Sequence, residues 1–373
     1  MTDPKRVACF FSTSGHSGVD RVARHLIPAI ARRGYRVDLL KVRGHGPELQ
    51  DVPPGVAILD LGARHTYGCL PAVVRYLRRV RPGVLLSDKD RVNRTALLAR
   101  LLSRVPTRLV LRSGTTISAD LAARGAVERW LQRNSMGKLY RFADSVIVNS
   151  RHLADDMAAY TGLPRERIHL VQNPVVHASL FERQQPRPDH RWFAPGAPPV
   201  ILGVGELCGR KDFATLIQAF AIVRAGRRCR LVILGEGGKR DELHSLAERL
   251  RVGADVDLAG FKPDPYPFMA HAAVFALTSL WEGNPLVLPE ALAVGTPVVA
   301  TDCPGGTREV LADGKFGRLV PPRDARALAE AVVLTLDDPL PAEVLRMAAR
   351  PFEIEAATDS YLREMGLGRE AAP

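Results

Sequence analysis

The chain has 373 residues, 46% of them apolar and 25% charged. That is the balance of a soluble globular protein, long enough for two domains at roughly 100–200 residues each and for a sizeable core without disulfides or a structural metal. No run approaches the ~18 consecutive apolar residues of a membrane-spanning helix. The net charge is +12, and it is unevenly placed: residues 1–190 carry 31 Lys and Arg against 16 Asp and Glu, and the remainder 21 against 24. A basic half is suited to nucleic acid, an anionic membrane surface or phosphate-bearing substrates.

In chain order, Arg6–Phe11 reads as a buried strand and Gly18–Arg33 as a helix, with Val19, Val22, Ala23, Leu26 and Ile30 at helical spacing. Tyr35–Val42, Val56–Leu61, Gly83–Ser87, Arg108–Arg112 and Ser145–Asn149 follow as strands, with helical stretches between several of them. Residues 183–199 contain five prolines and read as a linker. The alternation then restarts with strand Val200–Val204, helix Asp212–Ala225, strand Arg230–Leu234 and helix Lys239–Leu250. Strands Val256–Ala259 and Ala272–Leu277, helix Pro285–Val294 and strand Pro297–Ala300 complete it. Alternating strands and helices predict parallel sheets covered by helices, so the reading is two α/β domains, 1–182 and 200–354.

The N-terminus lacks a basic-then-apolar leader pattern, so no secretion signal is expected. Five widely spaced cysteines without a C-x-x-C fit neither a disulfide framework nor a zinc site and point to a reducing cytosol. Ten histidines include no H-x-x-x-H pair. Two D-x-D strings, Asp88–Asp90 and Asp255–Asp257, are expected to hold no metal; the second alternates through a strand and is expected to face solvent.

Three segments carry candidate chemistry. Ser12–Gly18, STSGHSG, joins a strand to a helix start, where small residues and unpaired N–H groups suit an anion, or simply make a tight turn. Gly203–Asp212, GVGELCGRKD, places Arg210 and Lys211 just before a helix, where they oppose the helix dipole but suit a phosphate. Ser279–Val299 contains Glu282 and Glu290 in an apolar setting of Trp281, Leu286, Leu288 and Leu292. A helix from Pro285 puts Glu282 on the entry loop and Glu290 in the second turn, with backbone amides near Gly283 and Asn284 at the tip as a diphosphate seat. A carboxylate in that turn can accept two hydrogen bonds from a ribose diol, at roughly 1.5–3 kcal/mol each.

The stretch resembles the E-x7-E signature of retaining glycosyltransferases of family 4. Gly203-Val-Gly205, Lys211, Leu234–Gly237, Ala259–Phe261 and Thr296–Asp302 surround it as in that family. The resemblance spans about Pro199–Pro322, with fainter echoes at Val7–Val42, Ala143–Ser150 and Asn173–Val175. It implies the GT-B architecture, two Rossmann-like domains facing across a cleft, with the C-terminal segment 355–373 returning to the first. It implies that Glu290 holds the donor ribose, that Glu282 contacts the sugar near the reacting carbon, and that Lys211 with Arg210 neutralises the leaving diphosphate. Gly18, Gly283, Asn284, Pro285 and Leu286 would line diphosphate and sugar, and Phe261 would lie against the base.

The implied reaction is transfer of a hexosyl or N-acetylhexosaminyl group from a nucleotide sugar, with UDP preferred, needing neither metal nor cofactor. The implied acceptor is a glycan, glycolipid or lipid-linked sugar of bacterial surface polysaccharide or lipopolysaccharide synthesis. The place would be the cytoplasm, peripherally at the inner face of the membrane. Val73–Arg81 reads as a basic amphipathic helix for such a surface, or as an ordinary packed helix with a solvated face. No recognisable nucleic-acid module is present. Two departures stand out. Glu206 occupies the position where most members have Arg, leaving Arg210 to supply the charge or Glu206 to orient Lys211. Leu111–Thr116 lacks the usual sugar-contacting His, leaving Arg112 or Ser113 as its substitute. Epimerisation on the same architecture, or silent nucleotide-sugar binding, are the rival readings.

Overall fold

A computed structural model describes residues 2–13, 18–49, 51–114, 117–118, 125–182 and 184–368. Much of the STSGHSG turn, Thr115–Thr116 and the last five residues therefore lie outside the described residues.

The chain divides into two units, Met1–Val175 with Phe352–Pro373, and Val176–Pro351. In the first, β1 (Asp3–Phe11), α1 (Gly18–Arg32), β2 (Arg36–Lys41), β3 (Val56–Asp60), α2 (Leu70–Val80), β4 (Pro82–Asp88) and α3 (Asp90–Ser103) are followed by β5 (Arg108–Ser113), α4 (Ala126–Leu139), β6 (Ser145–Val148), α5 (Arg151–Thr161) and β7 (Ile168–Leu170). Among the described residues they make a parallel sheet in the order β3-β2-β1-β4-β5-β6-β7. Val7–Phe11 are all buried, as expected of a central parallel strand covered on both faces. Successive side chains go to opposite faces. Ala8 and Phe10 pack with Val73, Leu77 and Leu97, whereas Val7, Cys9 and Phe11 pack with Leu26, Ile27 and Ile30 of α1.

The second unit runs α6 (Ser179–Glu182), β8 (Val200–Val204), α7 (Phe213–Gly226), β9 (Arg230–Leu234), α8 (Arg240–Arg249), β10 (Val256–Gly260), α9 (Tyr266–His271), β11 (Val274–Leu277) and α10 (Val287–Ala293). It continues with β12 (Val298–Thr301), α11 (Thr307–Val310), β13 (Arg318–Val320), α12 (Ala325–Asp337) and α13 (Ala342–Ala349). Its sheet, also parallel, has the order β10-β9-β8-β11-β12-β13. In each sheet the order reverses beside the first strand, between β1 and β4 and between β8 and β11. Beyond the carboxyl ends of the strands at such a reversal, the connecting loops splay apart and leave a crevice.

The C-terminal α14 (Ile354–Glu364) packs in the first unit. Its Tyr361 and Leu362 join the α1 face of the core, Arg33 pairs with Asp359 at 2.7 Å, and Arg108 donates to the Glu364 carbonyl.

The proline-rich segment is not a free linker, and the units divide at Val175 rather than at 182. Trp192 and Phe193 are buried, with Arg230 5.1 Å over the Trp192 ring and Phe193 edge-on to Phe268. His190 Nε2 lies 2.9 Å from Asp257, so this carboxylate anchors the segment. Its neighbour Asp255 pairs with Arg224 and Arg230. Both acids of the second D-x-D string thus have structural partners; Asp255 is mostly covered, while Asp257 remains 38% exposed.

Candidate active site

The β8–α7 loop is held from several sides. Gly205 N–H donates to Leu234 O (2.9 Å), Leu207 N–H to Glu236 O (2.8 Å) and Lys239 N–H to Leu207 O (3.0 Å). Gly235 (φ +144) must be glycine here, because a Cβ would fall 1.8 Å from the Gly205 carbonyl. Asp212 caps α7 by accepting from the Thr215 amide and hydroxyl. The backbone of Arg210 and Lys211 is fixed by the loop after β11: Leu280 N–H donates to Arg210 O and the Thr278 hydroxyl to Lys211 O, each at 2.8 Å. The two cations therefore stand at the carboxyl end of β8 from a rigid turn.

Glu282 meets them from the end of β11, across the reversal point. Its Oε1 accepts from Lys211 Nζ (2.5 Å) and the Ser279 hydroxyl (2.7 Å), and its Oε2 from Arg210 Nη1 (2.8 Å). Glu282 is 7% exposed and Lys211 9%. Burial is the largest single influence on the Glu282 carboxyl and would raise its pKa. The charges of Lys211 and Arg210, with the hydrogen bonds from Lys211 and Ser279, outweigh it and hold the carboxyl below its ordinary range. One carboxylate facing two cations leaves the cluster with a net positive charge, with Lys211 and Glu282 buried and Arg210 partly exposed, an arrangement suited to receiving an anion.

The loop after β12 closes over this cluster. Glu282 N–H donates to Pro304 O (2.9 Å) and Gly306 N–H to Gly283 O (3.0 Å). The Thr301 hydroxyl donates to Ser279 O at 2.6 Å. Gly305 (φ +128) allows this approach, since a Cβ there would sit 1.6 Å from the Glu282 carbonyl oxygen.

Glu290 is fully buried on α10 and accepts from the Tyr266 hydroxyl at 3.0 Å. The helix begins at Val287, so Glu290 falls in its first turn, not its second. Pro285 belongs to the turn before it, where its carbonyl accepts from Leu288 N–H, and Leu286 is the N-cap. Gly283 and Asn284 accordingly lie on the loop that contacts Gly306, rather than at a helix tip. Phe261 follows β10 and is 65% exposed. Gly18 opens α1 in the other unit and is exposed.

Glu206 is exposed and makes no ion pair among the described residues; Lys211 is oriented by Glu282 instead. Arg112 does not replace the missing His. It is buried in an ion pair with Asp88, and it donates to the Tyr361 hydroxyl (2.8 Å) and Asn173 Oδ1 (2.6 Å). Burial works against its charge, but Asp88 and Tyr361 more than compensate and raise its pKa, so it is a permanently charged core strut. Ser113 is buried as well. Asp90, the other acid of the first D-x-D string, takes Arg94 (2.7 Å) and Gln132 (2.6 Å). Among the described residues no group of His, Cys, Asp or Glu is placed to hold a metal ion. Thr278, Ser279, Thr301, Gly305 and Tyr266 were not named individually as site residues from sequence, although Ser279 opens the candidate segment and Thr301 lies in the family-like stretch Thr296–Asp302.

Two family models match the chain: "Glycosyl transferase 4-like domain" over residues 17–174 and "Glycosyl transferases group 1" over 186–351. One curated relative is the N-acetylgalactosamine-N,N'-diacetylbacillosaminyl-diphospho-undecaprenol 4-alpha-N-acetylgalactosaminyltransferase of Campylobacter jejuni, 30% identical over 67% of this chain and 66% of that one. Another is the lipopolysaccharide core biosynthesis glycosyltransferase LpsE of Rhizobium meliloti, 28% identical over 93% of this chain and 95% of that one. Among solved structures, Anabaena Alr3699/HepE in complex with UDP superposes with a TM-score of 0.77 over 97% of this chain and 99% of that one. At 19% identity that likeness concerns the fold.

Proposed function

We propose that this chain, which belongs to the GT-B glycosyltransferases, transfers a sugar with retention from a UDP-linked donor to a glycan or lipid-linked acceptor of bacterial surface polysaccharide or lipopolysaccharide synthesis. The observation that carries the reading is the Lys211–Glu282–Arg210 cluster at the sheet reversal, in which Lys211 and Glu282 are buried and Arg210 is partly exposed. Relatives that build lipopolysaccharide and a diphospho-undecaprenol-linked glycan support the acceptor class, and the UDP complex of a structural neighbour supports the nucleotide.

In this reading the donor C1–O bond breaks and its electron pair leaves with the diphosphate. Lys211 and Arg210 stabilise that growing negative charge from fixed positions, which removes the reorganisation cost that water would incur. The acceptor oxygen bonds to C1 on the face the diphosphate vacates, and its proton passes to a leaving phosphate oxygen. Glu282 positions the sugar and steadies positive charge at the reacting carbon. Glu290 accepts from the ribose diol, and Phe261 lies against the base. No metal is invoked, because the two cations supply the neutralising charge.

The same chain is proposed to work at the cytoplasmic face of an anionic membrane. Among the described residues no helix is long and apolar enough to cross one. Support comes from α2 and α3, which flank an open groove of about 630 Å³ lined by Leu70, Pro71, Val74 and Leu102 together with Arg75, Arg78 and Arg79. Residues 61–87 contain no acid, and basic groups near an anionic surface contribute about 1 kcal/mol each. Flotation with anionic and with neutral vesicles, using wild type and the triple Arg→Gln variant, tests this. Binding to neither vesicle, or binding that survives the triple change, would end it.

The transfer reading is tested by incubating the protein with a panel of UDP-sugars and lipid-linked acceptors, then reading the product's anomeric coupling by NMR. A product with the donor's anomeric configuration is expected. Inversion would refute retention, and an isomerised donor without acceptor consumption would establish epimerisation instead.

A further inference from the structure

Glu206 stands beside the charge cluster without belonging to it. On either side of it the backbone is tied to the loop after β9, Gly205 N–H to Leu234 O at 2.9 Å and Leu207 N–H to Glu236 O at 2.8 Å, and its own carbonyl accepts from Cys208 N–H at 2.8 Å. The Leu207 side chain is fully buried, whereas Glu206, between it and Gly205, is exposed. The Lys211 side chain runs over Gly205: a Cβ there would lie 3.1 Å from Lys211 Cε and 3.3 Å from Cδ. The next residue, Glu206, therefore carries its carboxylate from fixed backbone beside the stem of Lys211.

Lys211 and Arg210 already share Glu282 as their counter-ion. Glu206 pairs with neither, and among the described residues its side chain makes no hydrogen bond or ion pair. The contacts around Glu282 are net positive, but over Glu206, Arg210, Lys211 and Glu282 together the formal charges cancel. An anion seated on Lys211 and Arg210 thus meets attraction at contact and opposition from the adjoining residue. Over so short a span, well inside the ~8 Å Debye length, solvent weakens that opposition without removing it.

The two nucleotides that would share this seat differ in charge. In the donor the distal phosphate is esterified to the sugar. In the released nucleotide it is free and carries about one further negative charge near neutral pH, as other phosphate monoesters do. Repulsion from a fixed carboxylate grows with that charge, so it falls harder on product than on donor.

We propose that Glu206 is a specificity-determining residue that favours the sugar-linked diphosphate over the free nucleoside diphosphate, and so limits rebinding of product after transfer. This rests on the reading of Lys211 and Arg210 as the diphosphate seat. Without the carboxylate both ligands bind more tightly, the free diphosphate by the larger factor.

The test is calorimetric binding of UDP and UDP-glucose to wild type, Glu206→Gln, Glu206→Lys and Lys211→Ala at low and at high salt, with the guanine and adenine counterparts run in parallel. Glu206→Gln is expected to tighten UDP about threefold and UDP-glucose about twofold, within the range of a solvent-screened charge contact. Glu206→Lys doubles the change in charge and should tighten them about tenfold and about fourfold. Both gains should shrink at high salt. Glu206→Gln should leave the melting temperature of the unliganded protein unchanged, since the side chain has no partner to lose. Unchanged or weaker UDP binding in the Glu206 variants, or an equal gain for UDP and UDP-glucose, overturns the proposal while leaving the diphosphate seat intact. Undiminished UDP binding in Lys211→Ala, or no nucleotide bound by wild type, defeats the reading of the seat and this proposal with it.

Discussion

Replacing Glu282 by Gln should separate binding from turnover. The change removes the charge that compensates Lys211 and Arg210 but keeps an oxygen that accepts one hydrogen bond. Breaking a buried ion pair from one side costs about 3–5 kcal/mol, and the retained acceptor places this variant near 3 kcal/mol. For a unit of this size, about 2–4 °C of melting temperature accompanies each kcal/mol, so the unliganded variant should melt about 6–12 °C lower. UDP contributes its own negative charge to the orphaned cations. It should therefore raise the melting temperature of the variant more than that of wild type, while sugar transfer is lost. The deficit also depends on pH. Because the folded Glu282 carboxyl titrates below its ordinary value of 4.5, its contribution is fully present above that pH and is lost as pH falls through the folded value. Wild type and variant should converge in acid. Differential scanning fluorimetry across pH, with and without UDP, reads all three effects. A variant as stable as wild type at pH 7, or one that UDP stabilises less than wild type, would refute the charge-cluster argument.

Arg112→Ala should cost about 3–5 kcal/mol by stranding Asp88, and no nucleotide should restore it; recovery with UDP would return Arg112 to the donor site. Gly305→Ala should abolish most transfer while leaving far-ultraviolet dichroism unchanged, because its Cβ collides with the backbone that carries Glu282; wild-type turnover would mean that the loop does not constrain the site. Limited proteolysis should spare residues 184–199 in wild type and cut there in Trp192→Ala, whose lost packing costs about 3–5 kcal/mol; ready cleavage of wild type would make the segment a linker after all.

Most of the alternation was legible because its strands are long apolar runs bounded by turns, and several predicted limits agree with the observed ones to within a residue or two. Ile168–Leu170 and Arg318–Val320 escaped, since three residues are too few to display a period of two. Prolines misled at 183–199: they mark irregular backbone, not exposure, and the apolar pair Trp192 and Phe193 was the sign that the segment is covered. Arg112, offered with Ser113 as a substitute for the missing His, could not be placed from sequence because an arginine at a strand end looks the same whether it faces a ligand or a buried aspartate 24 positions earlier. At the site, Glu282 and Glu290 stand out by charge in apolar surroundings, and Lys211 by its place beside Arg210 just before a helix. The hydroxyls of Ser279, Thr278 and Thr301 do not, because their roles arise only when the ends of β8, β11 and β12 come together.

The most direct test of the central claim is a thermal-shift panel of UDP, GDP, ADP, CDP and TDP, with and without EDTA, on wild type and on Lys211→Ala. A ligand at 100 times its dissociation constant stabilises by about 2.7 kcal/mol, readily seen as a melting shift. The account predicts a shift with UDP that EDTA leaves untouched and that Lys211→Ala abolishes. A shift that requires metal, or one that persists without Lys211, would contradict it.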